Sequence, residues 1–189
     1  MEQRSGELLG ADVRIEASTP VASIYRTKAT EEGLAASRQV EFPSVILDPQ
    51  GIPKLVAVKV VEMGYPLRGR LRVSDQLFEE GTETDGVPEF GTLWVGATLL
   101  AESGLQLGQS IKLGASFFRL ARVLSYEPDN TGIFSQLAAP RVMMNRIDLE
   151  AAELLSAASR ARHRLLVAGE PKRVAEFIDW ARERDDPSV

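Results

Sequence analysis

The 189-residue sequence has no cysteine and a single histidine, His163. Disulfides, thiolate metal sites and cysteine nucleophiles are therefore excluded, and one imidazole leaves no histidine cluster for a transition metal. Basic residues are in deficit, 22 Lys and Arg against 27 Asp and Glu, for a net charge of −5. That balance argues against nucleic acid or an anionic bilayer as a partner of the whole domain. Long apolar runs are missing too. Leu55 to Val61, interrupted by Lys59, falls far short of the roughly 20 residues that span a bilayer. The opening Met1-Glu2-Gln3-Arg4 is polar and acquires no apolar h-region, so no signal peptide is expected. No Gly-x-x-x-x-Gly-Lys-Ser/Thr and no Gly-x-Gly-x-x-Gly after a strand is present, so no ATP, dinucleotide or other cofactor site is expected.

What remains is a chain with 44% hydrophobic residues, enough for one full core in one domain of two lobes. Residues 11 to 17 alternate, with Val13 and Ile15 on one face, as a half-buried strand does. Thr19 and Pro20 have the chemistry of an N-cap and first helical position, and the helix they open ends at Gly33. Strands over 37–47 and 54–62, joined at Asp48-Pro49-Gln50-Gly51, form a hairpin in which Val56, Val58 and Val60 share a face. After the break at Gly64-Tyr65-Pro66, Leu67, Gly69, Leu71 and Val73 alternate with Arg68, Arg70 and Arg72 as a further strand. The acidic stretch 78–91 reads as a solvated loop. A strand over 92–95, a helix over 97–103 closed by Gly104, and two strands within 105–126 follow. A strand over 160–168 and a helix opened by Glu170-Pro171 complete the chain. The outer elements read as an α+β sandwich, split by a β-rich insertion; a ferredoxin-like lobe would want one further strand after Arg184.

Searches for reactive chemistry fail at an early step. A serine hydrolase needs a base beside its nucleophile, and His163 lies on a strand face with Ala161 and Leu165, without a Gly-x-Ser-x-Gly elbow. Glu62, Glu127 and Asp129 could approach one another as a carboxylate pair, although nothing in their spacing demands it. Glu127-Pro128-Asp129-Asn130 lacks the alternating ligands of a calcium loop and reads as a turn. The ladders Arg68, Arg70, Arg72 and Arg160, Arg162, Arg164 read as solvated strand faces paired with nearby acids; the sharper alternative is a docking surface for lipid headgroups or a partner protein. Tyr65, Pro66, Leu67, Phe90, Ile133, Phe134 and Leu137 read as core or lobe-interface packing, the alternative being an exposed groove for an acyl chain.

The run Val58-Lys59-Val60-Val61-Glu62-Met63-Gly64-Tyr65-Pro66-Leu67-Arg68-Gly69 carries a family resemblance. With Glu127-Pro128-Asp129, Gly104-Leu105-Gln106-Leu107-Gly108-Gln109, Ala139-Pro140-Arg141-Val142-Met143-Met144-Asn145 and Arg160 to Gly169, it resembles the extracytoplasmic domain of FtsX/MacB-type ABC transporter permeases, in particular the YbbP-like branch. Ala158 stands where the family tends to have Gly before a Ser-Arg pair. The resemblance implies a two-lobed MacB-like periplasmic core: residues 1–63 plus 159–189 as a split ferredoxin-like lobe, and 64–158 as an inserted β-rich, sabre-like lobe. It implies a non-catalytic part of a bacterial inner-membrane transporter, exposed in the periplasm and excerpted from a longer chain with membrane helices. The function implied is mechanical: coupling of cytoplasmic ATP hydrolysis to export or extraction of a hydrophobic or lipid-like substrate from the inner membrane. An ABC ATPase subunit, a second copy or second outer domain of the permease, and a periplasmic esterase are the partners it brings with it. Gly64, Tyr65, Pro66, Leu67 and Arg68 then become a candidate hinge, and Phe134, Arg160, Arg162 and Arg164 a candidate substrate or partner surface. Two readings from other classes stand beside it: a stand-alone carboxylate-dependent hydrolase and a periplasmic protein-binding module.

Overall fold

The structure, a computed structural model, describes residues 10–130, 139–156 and 159–184. Its strands are β1 (Val13–Ala17), β2 (Ala35–Leu47), β3 (Pro53–Val61), β4 (Leu71–Ser74), β5 (Thr82–Thr84), β6 (Thr92–Gly96), β7 (Ser110–Leu113), β8 (Ser116–Tyr126), β9 (Arg141–Asn145) and β10 (Arg162–Ala168). Its helices are α1 (Ser23–Glu31), α2 (Ala97–Ser103), α3 (Asp148–Ala151) and α4 (Pro171–Arg182). The fold is mixed α and β, with one large sheet and few helices. The strand order is β1-β10-β2-β3-β9-β6-β8-β4-β5, with β7 paired to β8.

At one end of the sheet β10 lies between β1 and β2 and is antiparallel to both, so β1-α1-β2 is a split β-α-β unit. Chain geometry favours this arrangement because a strand–helix–parallel-strand crossover has one preferred hand. The hairpin of β2 and β3 forms as expected, in the register Val40 to Val60 and Phe42 to Val58. A parallel ladder from Ala57–Val61 to Arg141–Asn145 joins β3 to β9 and continues the sheet into its other end.

Burial assigns the two faces. Ile15, Leu165 and Val167 pack under α1 and α4 against Tyr25, Ala29, Val174 and Phe177. The same face carries a larger core in which Val40, Phe42, Val58 and Val60 meet Val142, Met144, Leu93 and Val95, crossing the β3–β9 seam. On the opposite face Val61, Met143, Trp94, Leu124, Tyr65 and Leu166 form a second cluster. Hence β3 and β9 are buried on both sides, and their sequences read as near-continuous apolar runs.

Several local expectations change. Helix α1 begins at Ser23 rather than beside Pro20, and its N-cap Ala22 offers no side-chain bond. Leu67 to Arg70 do not extend β4, because the Leu67 and Arg68 amides donate to Gly10 O at 2.9 and 3.0 Å. The acidic 78–91 stretch contains the short edge strand β5. Helix α2 closes at Gly104 in the left-handed conformation, as its sequence suggests. Glu170 caps α4 through its side chain, accepting from the Lys172 and Arg173 amides.

Candidate functional site: a buried ionic cluster at the seam

The alternation of β3 that points Val56, Val58 and Val60 into the core sends Lys59 to the other face, where it is fully buried. A buried ammonium is tolerable only when paired and hydrogen-bonded. Lys59 Nζ donates to Tyr65 OH at 2.8 Å, to Asp129 Oδ1 at 2.7 Å and to Glu127, and lies 3.5 Å from Glu41 Oε1. The Tyr65 hydroxyl in turn donates to Asp129, whose other oxygen accepts from Gln39 Nε2 at 3.3 Å. Arg141 Nε sits 3.1 Å from Glu127 Oε2, and Arg164 Nη1 sits 3.0 Å from Glu41 Oε1. Arg164 also donates to Glu16 at 2.6 Å, and Arg162 does so at 2.9 Å. Lys59, Arg141 and Arg164 thus balance Glu41, Glu127 and Asp129 inside the protein.

The electrostatics follow from this enclosure. Burial alone would push the Lys59 ammonium down, but Asp129, Glu127 and Glu41 outweigh it and raise its pKa above the ordinary lysine value. Burial also acts to raise the Asp129 carboxyl, yet the Lys59 charge and the bonds from Lys59, Tyr65 and Gln39 hold it below the usual carboxylate range. Burial, then Glu127 and Asp129, push the Tyr65 phenol well up. Lys59 and Asp129 therefore stay charged at neutral pH while the phenol stays protonated. Every carboxylate near Lys59 is committed to a cation, an arrangement suited to holding strands together.

Of the predicted hinge residues, Tyr65 enters this cluster and the other four flank it in sequence. Gly64 has φ +93°, a backbone that favours glycine, and Tyr65 turns inward onto Lys59. Tyr65–Pro66 is a cis peptide bond. Arg68 grips Asp12 with two bonds, of 2.9 and 2.7 Å, and reaches Gly169 O at 3.2 Å; Asp12 also accepts from the Gly169 amide at 3.0 Å. Tyr65, Leu67 and Arg68 are therefore held by the cluster, Gly10 and Asp12, whereas Gly64 is exposed.

The candidate surface residues divide. Arg164 is 2% exposed and belongs to the cluster, which corrects its place on a solvated ladder: Glu16 and Glu41 face it from the neighbouring strands. Arg162 is half-buried on Glu16, and Arg160 is exposed. Phe134, with Ile133 and Leu137, lies outside the described residues. Arg70 pairs with Asp85 at 2.7 Å and Arg72 with Glu80, on the surface. Of the three carboxylates considered together, Glu127 and Asp129 do meet, but on Lys59; Glu62 instead accepts from the Arg38 amide at 2.8 Å and faces Arg26.

Lys59, Glu41, Gln39 and Arg141 were not legible as a site. The available signal was a lysine at the centre of the apolar run Leu55 to Val61, in a strand whose alternate positions Ala57 and Val61 are also apolar. A strand buried on both faces leaves such a lysine no route to water.

Among the described residues no His, Asp and Glu group has the arrangement to hold a metal ion, and no helix is long and apolar enough to cross a membrane. No protein-family model matches the chain. In sequence it is 26% identical over 181 residues to the ABC transporter permease YbbP of Escherichia coli (strain K12), a protein itself uncharacterized; the match covers 95% of this chain and 21% of YbbP. The chain thus spans about a fifth of that relative's length. Its fold is similar to a crystallised domain assigned to a permease of Porphyromonas gingivalis, with a TM-score of 0.52, 13% identity, and coverage of 91% of this chain and 79% of that one. By sequence along nearly its whole length the chain is similar to part of an ABC transporter permease, and by fold to a permease domain.

Proposed function

We propose that this chain is the extracytoplasmic domain of an FtsX/MacB-type permease of the YbbP kind, and that it transmits force without performing chemistry. The observation that carries the reading is the similarity to YbbP across 95% of the chain. In this account an ATPase subunit drives membrane helices beyond the residues described, and the domain converts their movement into export or extraction of a hydrophobic or lipid-like substrate. Residues 1–63 and 159–189 form a ferredoxin-like lobe, a division supported by the split β-α-β unit with β10 between β1 and β2. Residues 64–158 form the inserted lobe, and Gly64-Tyr65-Pro66 is the stiff connection between them. A second outer domain and a periplasmic esterase are the partners consistent with this placement, with Arg160 and Arg162 on the accessible side.

The geometry disfavours a carboxylate-dependent hydrolase. Glu127 and Asp129 are buried and neutralised by Lys59, so neither is free to take a proton from water or attack a substrate. The test is a reconstituted transporter, permease with ATPase, in which residues 10–184 are replaced by a flexible linker. ATP hydrolysis should persist while transport of lipid-like substrates is lost; transport at the unmodified rate would reject the reading.

A further inference from the structure

Among the described residues one ladder joins the two ends of the sheet, the parallel pairing of β3 with β9. Polar contacts reinforce it from one face. Lys59 on β3 holds Glu127 and Asp129 from beyond β8, Glu41 on β2 faces Arg141 on β9 at 3.8 Å, and Gln39 on β2 reaches Asp129. The covalent connection that leaves β3 is fastened at three successive points: Glu62 to the Arg38 amide, Tyr65 to Lys59 and Asp129, and Arg68 to Asp12 and Gly169. The segment that leads into β1 is fastened to the same place, since Gly10 O accepts both the Leu67 and Arg68 amides. A Cβ on Gly10 would come within 3.4 Å of the Asp129 side chain, so this segment lies directly against the cluster.

We propose that the Lys59 cluster and the Asp12–Arg68 clamp form a lock that makes the two ends of the sheet move as one rigid body, with the backbone at Gly10, just ahead of β1, anchored straight onto it. A displacement at Gly10 then reaches β9 and the turn after β8 through Arg68, Tyr65 and Lys59, in addition to the five-residue β3–β9 ladder and the apolar cores that cross the seam. The lock is built of three cations and three carboxylates: the groups around Lys59 from β2, β9, β10 and the Glu127–Asp129 turn are Glu41, Arg141, Arg164, Glu127 and Asp129. This inference rests on geometry and stands apart from the transport reading, so either can fail alone.

Hydrogen exchange on the 189-residue chain tests it. Tyr65→Phe combined with Arg68→Leu removes the shared hydroxyl and the clamp while leaving both apolar cores intact. Relative to wild type, amides of Val142 to Met144 and of Tyr65 to Arg68 should exchange at least about tenfold faster, while those of Leu165 to Val167 keep their protection, as separate cooperative units would. Equal acceleration at both ends, or none, would overturn the lock. If the double variant does not fold, Tyr65→Phe alone should show the same asymmetry at smaller size, and a uniform response there is equally fatal.

Discussion

Lys59→Met is the most informative single change. Methionine fills much of the same space, so the effect isolates the charge. In the wild type three cations face three carboxylates; without the ammonium, Glu41, Glu127 and Asp129 face only Arg141 and Arg164, leaving one buried negative charge unmatched. Asp129 also loses its shortest cationic partner, at 2.7 Å. Breaking a buried ion pair in this way typically costs about 3–5 kcal/mol. At roughly 2–4 °C per kcal/mol for a chain of this size, Tm should fall by ~6–20 °C. Adding Glu127→Gln restores the balance of charge and should recover about half of the loss or more, because it is the unpaired charge that is costly. Urea and thermal unfolding followed by circular dichroism supply both numbers. A loss under about 1 kcal/mol for the single variant, or a double variant no better than the single, would refute the view that the cluster is a tightly coupled ionic centre.

Four further outcomes follow from the same geometry. Burial, with the nearby Arg146 charge, pushes His163 down, so the unfolded chain binds its proton first and stability should decline as pH falls through about 6.5; His163→Gln should flatten that step in a pH series of urea midpoints. The Lys59 and Tyr65 pKa values are both raised, so their contribution is full below about pH 10 and disappears above it, whereas that of Asp129, whose pKa is lowered, disappears only in acid below the ordinary aspartate range. Gly114→Ala should be severe, since φ is +61° and a Cβ would stand 2.1 Å from the Ala152 carbonyl, while Gly64→Ala, with open space around it, should cost only the ~1 kcal/mol of a strained backbone. Arg70→Ala should leave the midpoint unchanged, because its pairs with Glu83 and Asp85 lie in solvent, and a clear shift would mean that this surface is structural.

Elements with a clean period were readable in advance. The β2–β3 hairpin follows from alternating valines and the Asp48-Pro49-Gln50-Gly51 turn, and α4 from Glu170-Pro171 ahead of an apolar stripe at Val174 and Phe177. The central strand β9 lies within the Ala139 to Asn145 motif but carries no strand signal of its own. With Val142, Met143 and Met144 all buried, it shows no alternation, and five residues are too few to display a period. The site was half legible. Tyr65 and Glu127-Pro128-Asp129 stood out as motifs, but their meeting point depends on pairings across 62 and more positions, which local pattern does not encode. Arg164 was misplaced for the same reason. Arg-x-Arg-x-Arg alternation resembles a wet face until Glu16 and Glu41 are known to flank it on neighbouring strands. The line Leu67 to Arg70 had strand periodicity and lost it to tertiary contacts with Gly10 and Asp12.

Whether the domain delivers mechanical work through a stiff connection, as proposed, is measured most directly by coupling in the intact transporter. In a reconstituted complex, Gly64→Ala with Pro66→Ala should leave ATP hydrolysis running while substrate movement per ATP falls sharply. An unchanged ratio of transport to hydrolysis in that variant would contradict the account.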